Sequence, residues 1–85
     1  MIFGIACKVL RKAHKLTQTE LAEKLGVSIA SVHSFEYGRR NSFEMLVTVC
    51  NYFQVPVWKA VKILEETTEE TQLKIKFLEA LNGNN

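Results

Sequence analysis

Apolar and polar residues follow one another along most of the chain with the three-to-four-residue period of amphipathic helices. In the first segment, for example, Ala6, Leu10 and Ala13 recur at helical spacing among lysines and an arginine. The same periodicity predicts helices over about residues 2–14, 18–25, 29–37, 43–53, 56–64 and 68–81.

Residues that favour helix ends stand at the expected boundaries. Thr17 and Glu20 have the spacing of a capping box, and Gly26 suits the left-handed conformation that closes a helix. Ser28 and Ser42 are placed to cap the third and fourth helices, and Pro56 suits the first position of the fifth.

Composition agrees with an all-α fold in one small unit. Apolar residues make up 47% of the 85 residues, and one Pro and four Gly leave few helix breakers. We expect a five-helix bundle over residues 1–66, and an additional amphipathic helix followed by a frayed tail over residues 67–85.

Charge is unevenly distributed. Residues 1–62 carry nine Lys and Arg against four Glu, a net charge of +5, whereas residues 63–85 carry two Lys against five Glu, a net charge of −3. A basic body with an acidic tail suits contact with a polyanion, although a solvated surface would look the same.

The chain offers little for catalysis or metal binding. Cys7 and Cys50 lie far apart in apolar contexts, which is typical of buried thiols in a reducing cytoplasm. His33 and Ser34 are adjacent on one helix and their side chains point apart, so they cannot act together as base and nucleophile of a catalytic triad. We expect no enzyme activity, no metal, no cofactor, no signal peptide and no membrane segment.

Residues 16–42 have the organisation of two short helices joined by a Gly-containing turn and followed by a basic loop. The stretches TQTELA, LGVS, SFEYGRR and LVTVCNYFQV, within residues 17–55, resemble the helix-turn-helix domains of the Xre/Cro/CI phage repressor family. The resemblance covers about residues 10–64.

The resemblance implies that the third helix enters the major groove of double-stranded DNA. Its base-contacting residues would be Ile29, Ala30, Ser31, His33 and Ser34. Ile29 and Ala30 cannot donate hydrogen bonds but can pack on thymine methyl groups. Phosphate contacts would come from Gln18, Ser28, Tyr37, Arg39, Arg40 and Asn41; for Tyr37, packing under the loop is an equal alternative.

Two structural expectations accompany these contacts. The family often pairs the positions of Arg11 and Glu36 in an ion pair between the first and third helices. The apolar stripe of the last helix, together with a tryptophan of the fifth, is expected either to form a homodimer interface or to fold onto its own core. These residues are Leu73, Phe77, Leu78, Leu81 and Trp58.

The function indicated is a small, dimeric, cytoplasmic transcription regulator from a phage, plasmid or similar mobile element. A repressor that binds a palindromic operator is favoured over an activator, with a protein antagonist as one means of control. The alternative is a protein-interaction module, such as an antitoxin or anti-repressor, that uses the same fold to bind a protein.

Overall fold

The computed structural model describes residues 1–83, and these form six α-helices and no strand. The helices are α1 (Gly4–Ala13), α2 (Gln18–Leu25), α3 (Ile29–Glu36), α4 (Phe43–Phe53), α5 (Val57–Glu66) and α6 (Glu70–Leu81). The fold is therefore the predicted all-α bundle of five helices with an additional C-terminal helix. The predicted fraying of Asn84 and Asn85 lies outside the described residues.

The predicted capping interactions are confirmed. Thr17 Oγ1 accepts a hydrogen bond from the Glu20 N–H at 3.0 Å, and Glu20 Oε1 accepts one from the Thr17 N–H at 2.8 Å. Ser28 and Ser42 accept bonds from backbone N–H groups three residues later, both at 3.0 Å. Gly26 closes α2 with a φ of +70°. These local bonds set the bounds of α2, α3 and α4 because they satisfy N–H groups that the helix itself leaves unpaired.

Several helix ends differ from the prediction by one or two residues; α6, for example, begins at Glu70 and not at Thr68. Residues 1–3 precede α1 and lie against the loop before α4, where Asn41 binds their backbone. Pro56 precedes α5 as its N-cap, with an extended ψ of 134°. Glu65 and Glu66 continue α5, because glutamate is a good helix former and nothing interrupts the chain there.

One hydrophobic core joins all six helices. Its largest fully buried side chains include Phe35 of α3 and Phe77 of α6. The core consists of Ala6, Cys7, Leu10, Leu21, Ala22, Val32, Phe35, Leu46, Val49, Cys50, Phe53, Val55, Ala60, Ile63, Leu64, Leu73, Phe77 and Ala80. Helix α6 thus completes the same core as α1 to α5 and is not a separately packed unit.

Helix α6 takes the second of the two expected arrangements, in which its apolar stripe packs onto its own core. Leu73 and Phe77 are 3% and 0% exposed, because α6 packs against α1 and α5 of its own chain. Leu78 and Leu81 are half-buried on the same helix. Of the five residues predicted for dimerisation, only Trp58 is largely exposed, at 64%. In the described part of the chain, no helix is both long and apolar enough to cross a membrane.

Helices α1 and α3 approach each other closely at Gly4. A Cβ atom at this position would lie 1.8 Å from the carbonyl oxygen of Phe35 and 2.8 Å from the Cα of Glu36. Both are backbone atoms, which cannot move aside as the end of a side chain can. Gly4 therefore determines how deeply the C-terminal end of α3 sits against α1.

We expect Gly4→Ala to destabilise the protein by about 1–3 kcal/mol, the usual cost of overpacking. Helix propensity alone predicts the opposite sign, since Ala is favoured over Gly in a helix by about 0.5–1 kcal/mol. Urea unfolding followed by circular dichroism measures the change. The control is Gly26→Ala, where no atom lies within 4 Å and only the positive φ is strained. A Gly4→Ala protein as stable as the wild type would contradict the close approach.

Candidate nucleic-acid interface

Helices α2 and α3 form a compact two-helix unit. The Val27 N–H donates to the Ala22 carbonyl at 3.0 Å across the turn that Gly26 makes. Ala22 is 2% exposed and Val32 of α3 is fully buried. The small alanine allows the two helices to pack closely, and this packing leaves one side of α3 facing outward.

The outward side of α3 carries the predicted base-contacting residues. Ile29 is 50% exposed, and Ala30 and His33 are also exposed. Ser31 and Ser34 are half-buried at the edge of this face. The structure therefore places all five on or beside one surface, which combines apolar side chains, hydroxyls and one imidazole.

Two of the predicted contact residues bind each other. The hydroxyls of Ser28 and Ser31 lie 2.9 Å apart, and Ser28 Oγ also accepts from the Ser31 N–H. The two hydroxyls, predicted to contact phosphate and a base respectively, are thus already engaged at the N-terminus of α3. This N-terminus carries the partial positive charge of the helix dipole.

His33 and Tyr37 form an aromatic pair on the outward side of α3. Their ring centroids lie 4.4 Å apart and the ring planes are tilted by 34°. Tyr37 is 63% exposed. The Tyr37 ring lies against the His33 imidazole and remains open to solvent, so it is not packed under the loop.

The basic turn after α3 folds back onto the end of the helix. The backbone N–H groups of Arg39 and Arg40 donate to the Ser34 carbonyl at 3.0 and 3.3 Å, and Gly38 allows the turn with a φ of +75°. Both arginine side chains belong to exposed residues. The turn that directly follows α3 therefore carries two exposed arginines.

Asn41 has a role that the sequence did not indicate. Its side-chain Oδ1 accepts from the Phe3 N–H at 2.9 Å, and its Nδ2 donates to the Met1 carbonyl at 2.8 Å. The ring of Phe3 also meets that of Phe43 edge-on, with centroids 5.8 Å apart. Asn41, predicted to contact phosphate, therefore anchors residues 1–3 to the loop before α4.

Behind the outward face lies a buried polar cluster, here called the Glu36 cluster, formed by Cys7, Arg11, Gln18 and Glu36. Arg11 Nε donates to Glu36 Oε2 at 2.7 Å, and Arg11 Nη2 donates to Oε1 at 3.0 Å. Gln18 Nε2 donates to Oε1 at 3.1 Å, and the Cys7 thiol donates to Oε2 at 3.4 Å. The predicted ion pair is present, and its side chains are only 11% and 2% exposed.

The Glu36 cluster connects three helices. Cys7 and Arg11 belong to α1, Gln18 is the first residue of α2, and Glu36 is the last of α3. Arg11 Nη1 also donates to the Leu16 carbonyl at 2.9 Å, which holds the turn between α1 and α2. In residues 1–83, every buried side-chain nitrogen or oxygen has a hydrogen-bond partner. The cluster is therefore saturated, which is what makes a buried charge tolerable.

The pKa shifts of the residues in the Glu36 cluster agree with these hydrogen bonds. Burial alone would raise the pKa of Glu36, but the hydrogen bonds from Arg11 and Gln18 and the charge of Arg11 outweigh it, and the pKa is lowered. The hydrogen bond to Glu36 raises the pKa of Arg11. Burial, followed by the adjacent carboxylate, raises the pKa of Cys7. Glu36 and Arg11 are thus held charged, and Cys7 is held as a neutral thiol donor.

Sequence reasoning missed part of this cluster. Cys7 and Arg11 are four residues apart and therefore share a face of α1. This spacing could have placed Cys7 beside the predicted ion pair. Gln18 was predicted to contact phosphate, and the structure directs its amide nitrogen to Glu36. Burial raises the pKa of Cys50, the second buried cysteine, to about 11.

Comparison with protein families gives one match. A family model described as helix-turn-helix matches residues 8–57, more than half of the chain, and ends at the first residue of α5. Comparison with curated proteins and with solved structures finds no significant match. Helix α6 lies outside the matched region.

Glu36→Gln tests the contribution of the cluster to stability. It leaves Arg11 buried without its counter-charge, and we expect a loss of about 3–5 kcal/mol in the free energy of unfolding at pH 7. The folded-state pKa of Glu36 lies below its unfolded value, so the carboxylate stabilises the protein above that value. The contribution is lost as pH falls through the folded pKa.

Urea unfolding between pH 3 and pH 7 measures this effect. The wild type should lose stability through the acidic range, and Glu36→Gln should show a flatter profile there. Glu23→Gln, at an exposed position of α2, is the matched control and should follow the wild type. Parallel profiles for the wild type and Glu36→Gln would show that Glu36 is not the stabilising carboxylate.

Proposed function

The chain belongs to the Xre/Cro/CI-type helix-turn-helix family of DNA-binding transcription regulators, and we propose that it is a repressor that binds a palindromic operator as a dimer. The observation that carries the proposal is the outward side of α3, with Arg39 and Arg40 in the turn that follows it. A readable face and cations next to it are what a major-groove helix requires.

Base recognition is assigned to the exposed residues of α3. Ile29 and Ala30 present methyl groups that fit the C5-methyl of thymine, while Ser34 and His33 supply hydrogen-bonding groups. The Ser31 hydroxyl reaches a base only in competition with Ser28. Half-sites that contain thymine, read largely by apolar fit, follow from this combination.

Phosphate binding is assigned first to Arg39 and Arg40, whose guanidinium groups can each hold a phosphate through two hydrogen bonds. Gln18 stands at the N-terminus of α2, where backbone N–H groups and the helix dipole attract an anion. Because Glu36 holds the amide nitrogen of Gln18, the side chain is already ordered before DNA arrives. Ser28, Tyr37 and Asn41 are further phosphate candidates. Within the chain, the Ser28 hydroxyl bonds to Ser31, the Tyr37 ring lies against His33, and both polar atoms of the Asn41 amide bind backbone groups of residues 1–3.

Dimerisation is assigned to the surface around Trp58. With Leu73 and Phe77 in the core, Trp58 is the predicted dimerisation residue that remains largely exposed. It borders a groove between α5 and α6 whose charged lining residues include Lys62, Glu66, Lys76 and Glu79. A groove with charges of both signs can match its own copy across a twofold axis.

A regulator that acts on DNA works where DNA is accessible, which in a bacterial host is the cytoplasm. Control by a protein antagonist is a further part of the proposal. The competing function, a protein-interaction module such as an antitoxin or anti-repressor, becomes one outcome of the first test below.

Selection from a random duplex pool, followed by salt titration, tests the proposed function. We expect an enriched palindrome with half-sites about 10 base pairs apart, and affinity that falls steeply as salt rises. Arg39→Gln and Arg40→Gln should weaken binding to all sequences and each reduce the salt slope by about 2, because both protomers of the dimer lose a phosphate contact. Lys74→Gln, on α6, is the matched charge control. Failure to enrich any sequence would favour the protein-interaction module.

Trp58→Glu tests the dimer surface. We expect the variant to sediment as a monomer at micromolar concentration and to bind the palindrome more weakly, since a charge replaces an apolar contact. Ile75→Glu is the control, because Ile75 is another exposed apolar residue, at 44%, on α6. If Trp58→Glu remains dimeric, the interface lies elsewhere.

A further inference from the structure

Ile29, His33 and Tyr37 are spaced four residues apart and form one row along the exposed side of α3. We refer to them as the α3 row. Ile29 has no hydrogen-bonding group in its side chain. Within the row, His33 is the residue whose ring nitrogens can donate to or accept from a base edge.

The contact between His33 and Tyr37 is supported by the backbone. The Tyr37 N–H donates to the His33 carbonyl at 3.0 Å, so the helical geometry continues to Tyr37 although it is the C-terminal cap of α3. The two rings then meet with centroids 4.4 Å apart. A histidine alone on an exposed helical face samples several rotamers, and fixing one of them costs conformational entropy. The tyrosine ring restricts that choice before DNA binds.

We propose that Tyr37 is a positioning residue for sequence recognition: its ring holds the His33 imidazole towards one base pair of each half-site. This inference rests on the proposed function, since it concerns how the same face reads DNA. It differs from the expected phosphate contact of Tyr37 because it uses the ring and not the hydroxyl.

The base pair that fits is one with a purine facing His33. A neutral imidazole has one N–H donor, and purine N7 is an acceptor on the major-groove edge, with O6 as a second acceptor in guanine. Thymine offers O4 as its one acceptor and cytosine offers a donor, so guanine, with N7 and O6 side by side, gives the imidazole N–H the most acceptor edge. An imidazole that is already ordered makes this bond at a lower entropic cost.

The experiment is operator selection with four proteins: the wild type, His33→Ala, Tyr37→Ala and Tyr37→Phe. The wild type should prefer a purine at one position of each half-site by about fivefold or more, within the range of base-edge hydrogen bonds. His33→Ala and Tyr37→Ala should lose the preference at that same position. Tyr37→Phe keeps the ring and should retain it.

Affinities for the selected operator and for its single-base variant complete the test. If the two residues act as one unit, the double variant His33→Ala/Tyr37→Ala should show the same ratio of affinities for the two duplexes as His33→Ala alone. Thermal unfolding of each variant identifies general damage to the fold, which would lower affinity for both duplexes equally. Loss of a preference at one base pair is not expected from such damage.

Three results would overturn the inference. Tyr37→Ala that keeps the wild-type preference would show that the ring does not position His33. Tyr37→Phe that loses the preference as fully as Tyr37→Ala would assign the effect to the hydroxyl and not to the ring. A wild type that selects no sequence would overturn the proposed function together with this inference, whereas the first two results leave the proposed function standing.

Discussion

The carboxylate of Glu36 is the point at which the first three helices meet. It accepts hydrogen bonds from Arg11, Gln18 and Cys7, and Arg11 extends the network to the carbonyl of Leu16. A buried carboxylate without such partners would strongly disfavour folding, so the helices that supply the donors must be in place together. Because Glu36 ends α3, the cluster also fixes the angle at which α3 presents its outward side. The orientation of the outward side of α3 is thus a consequence of satisfying one buried charge.

Packing reinforces this constraint from both sides of the cluster. Gly4 lets the backbone of α1 approach the Phe35 carbonyl, which leaves no space for a Cβ atom between the helices. Asn41 ties residues 1–3 to the loop that carries the two arginines. The residues behind the interface are therefore held by buried or backbone contacts. The residues in front of it, such as Ile29 and Arg40, remain exposed and available for a ligand. This division is expected of a binding surface, where preorganisation reduces the entropy lost on binding.

Helix α6 shows how the fold continues beyond the region that matches the family. Its apolar stripe covers α1 and α5, and Phe77 is fully buried there. An 85-residue chain has limited apolar area to bury, so an additional helix adds materially to its core. Helix α6 itself carries Glu70 and Glu79 against Lys74 and Lys76, so it has no net charge. The acidic excess of residues 63–85 comes from Glu65, Glu66 and Glu69, which precede it. The contribution of α6 to the described structure is therefore apolar area in the core.

Local signals in the sequence are enough to place the helices and many of their ends. Thr17 with Glu20, Gly26, Ser28 and Ser42 act within a few residues of their own position, on backbone groups whose location the helix already specifies. The ion pair of Arg11 with Glu36 was also expected, although only by resemblance. Tertiary structure decided which surface covers the stripe of α6, where the amide of Gln18 points, and what Asn41 binds. The hydrogen-bonded partners of Gln18 and Asn41 lie 18 to 40 residues away, and α1, which packs on α6, begins 66 residues before it. Helical periodicity shows that a side chain faces inward or outward, but only the packing of distant helices determines which atom it meets.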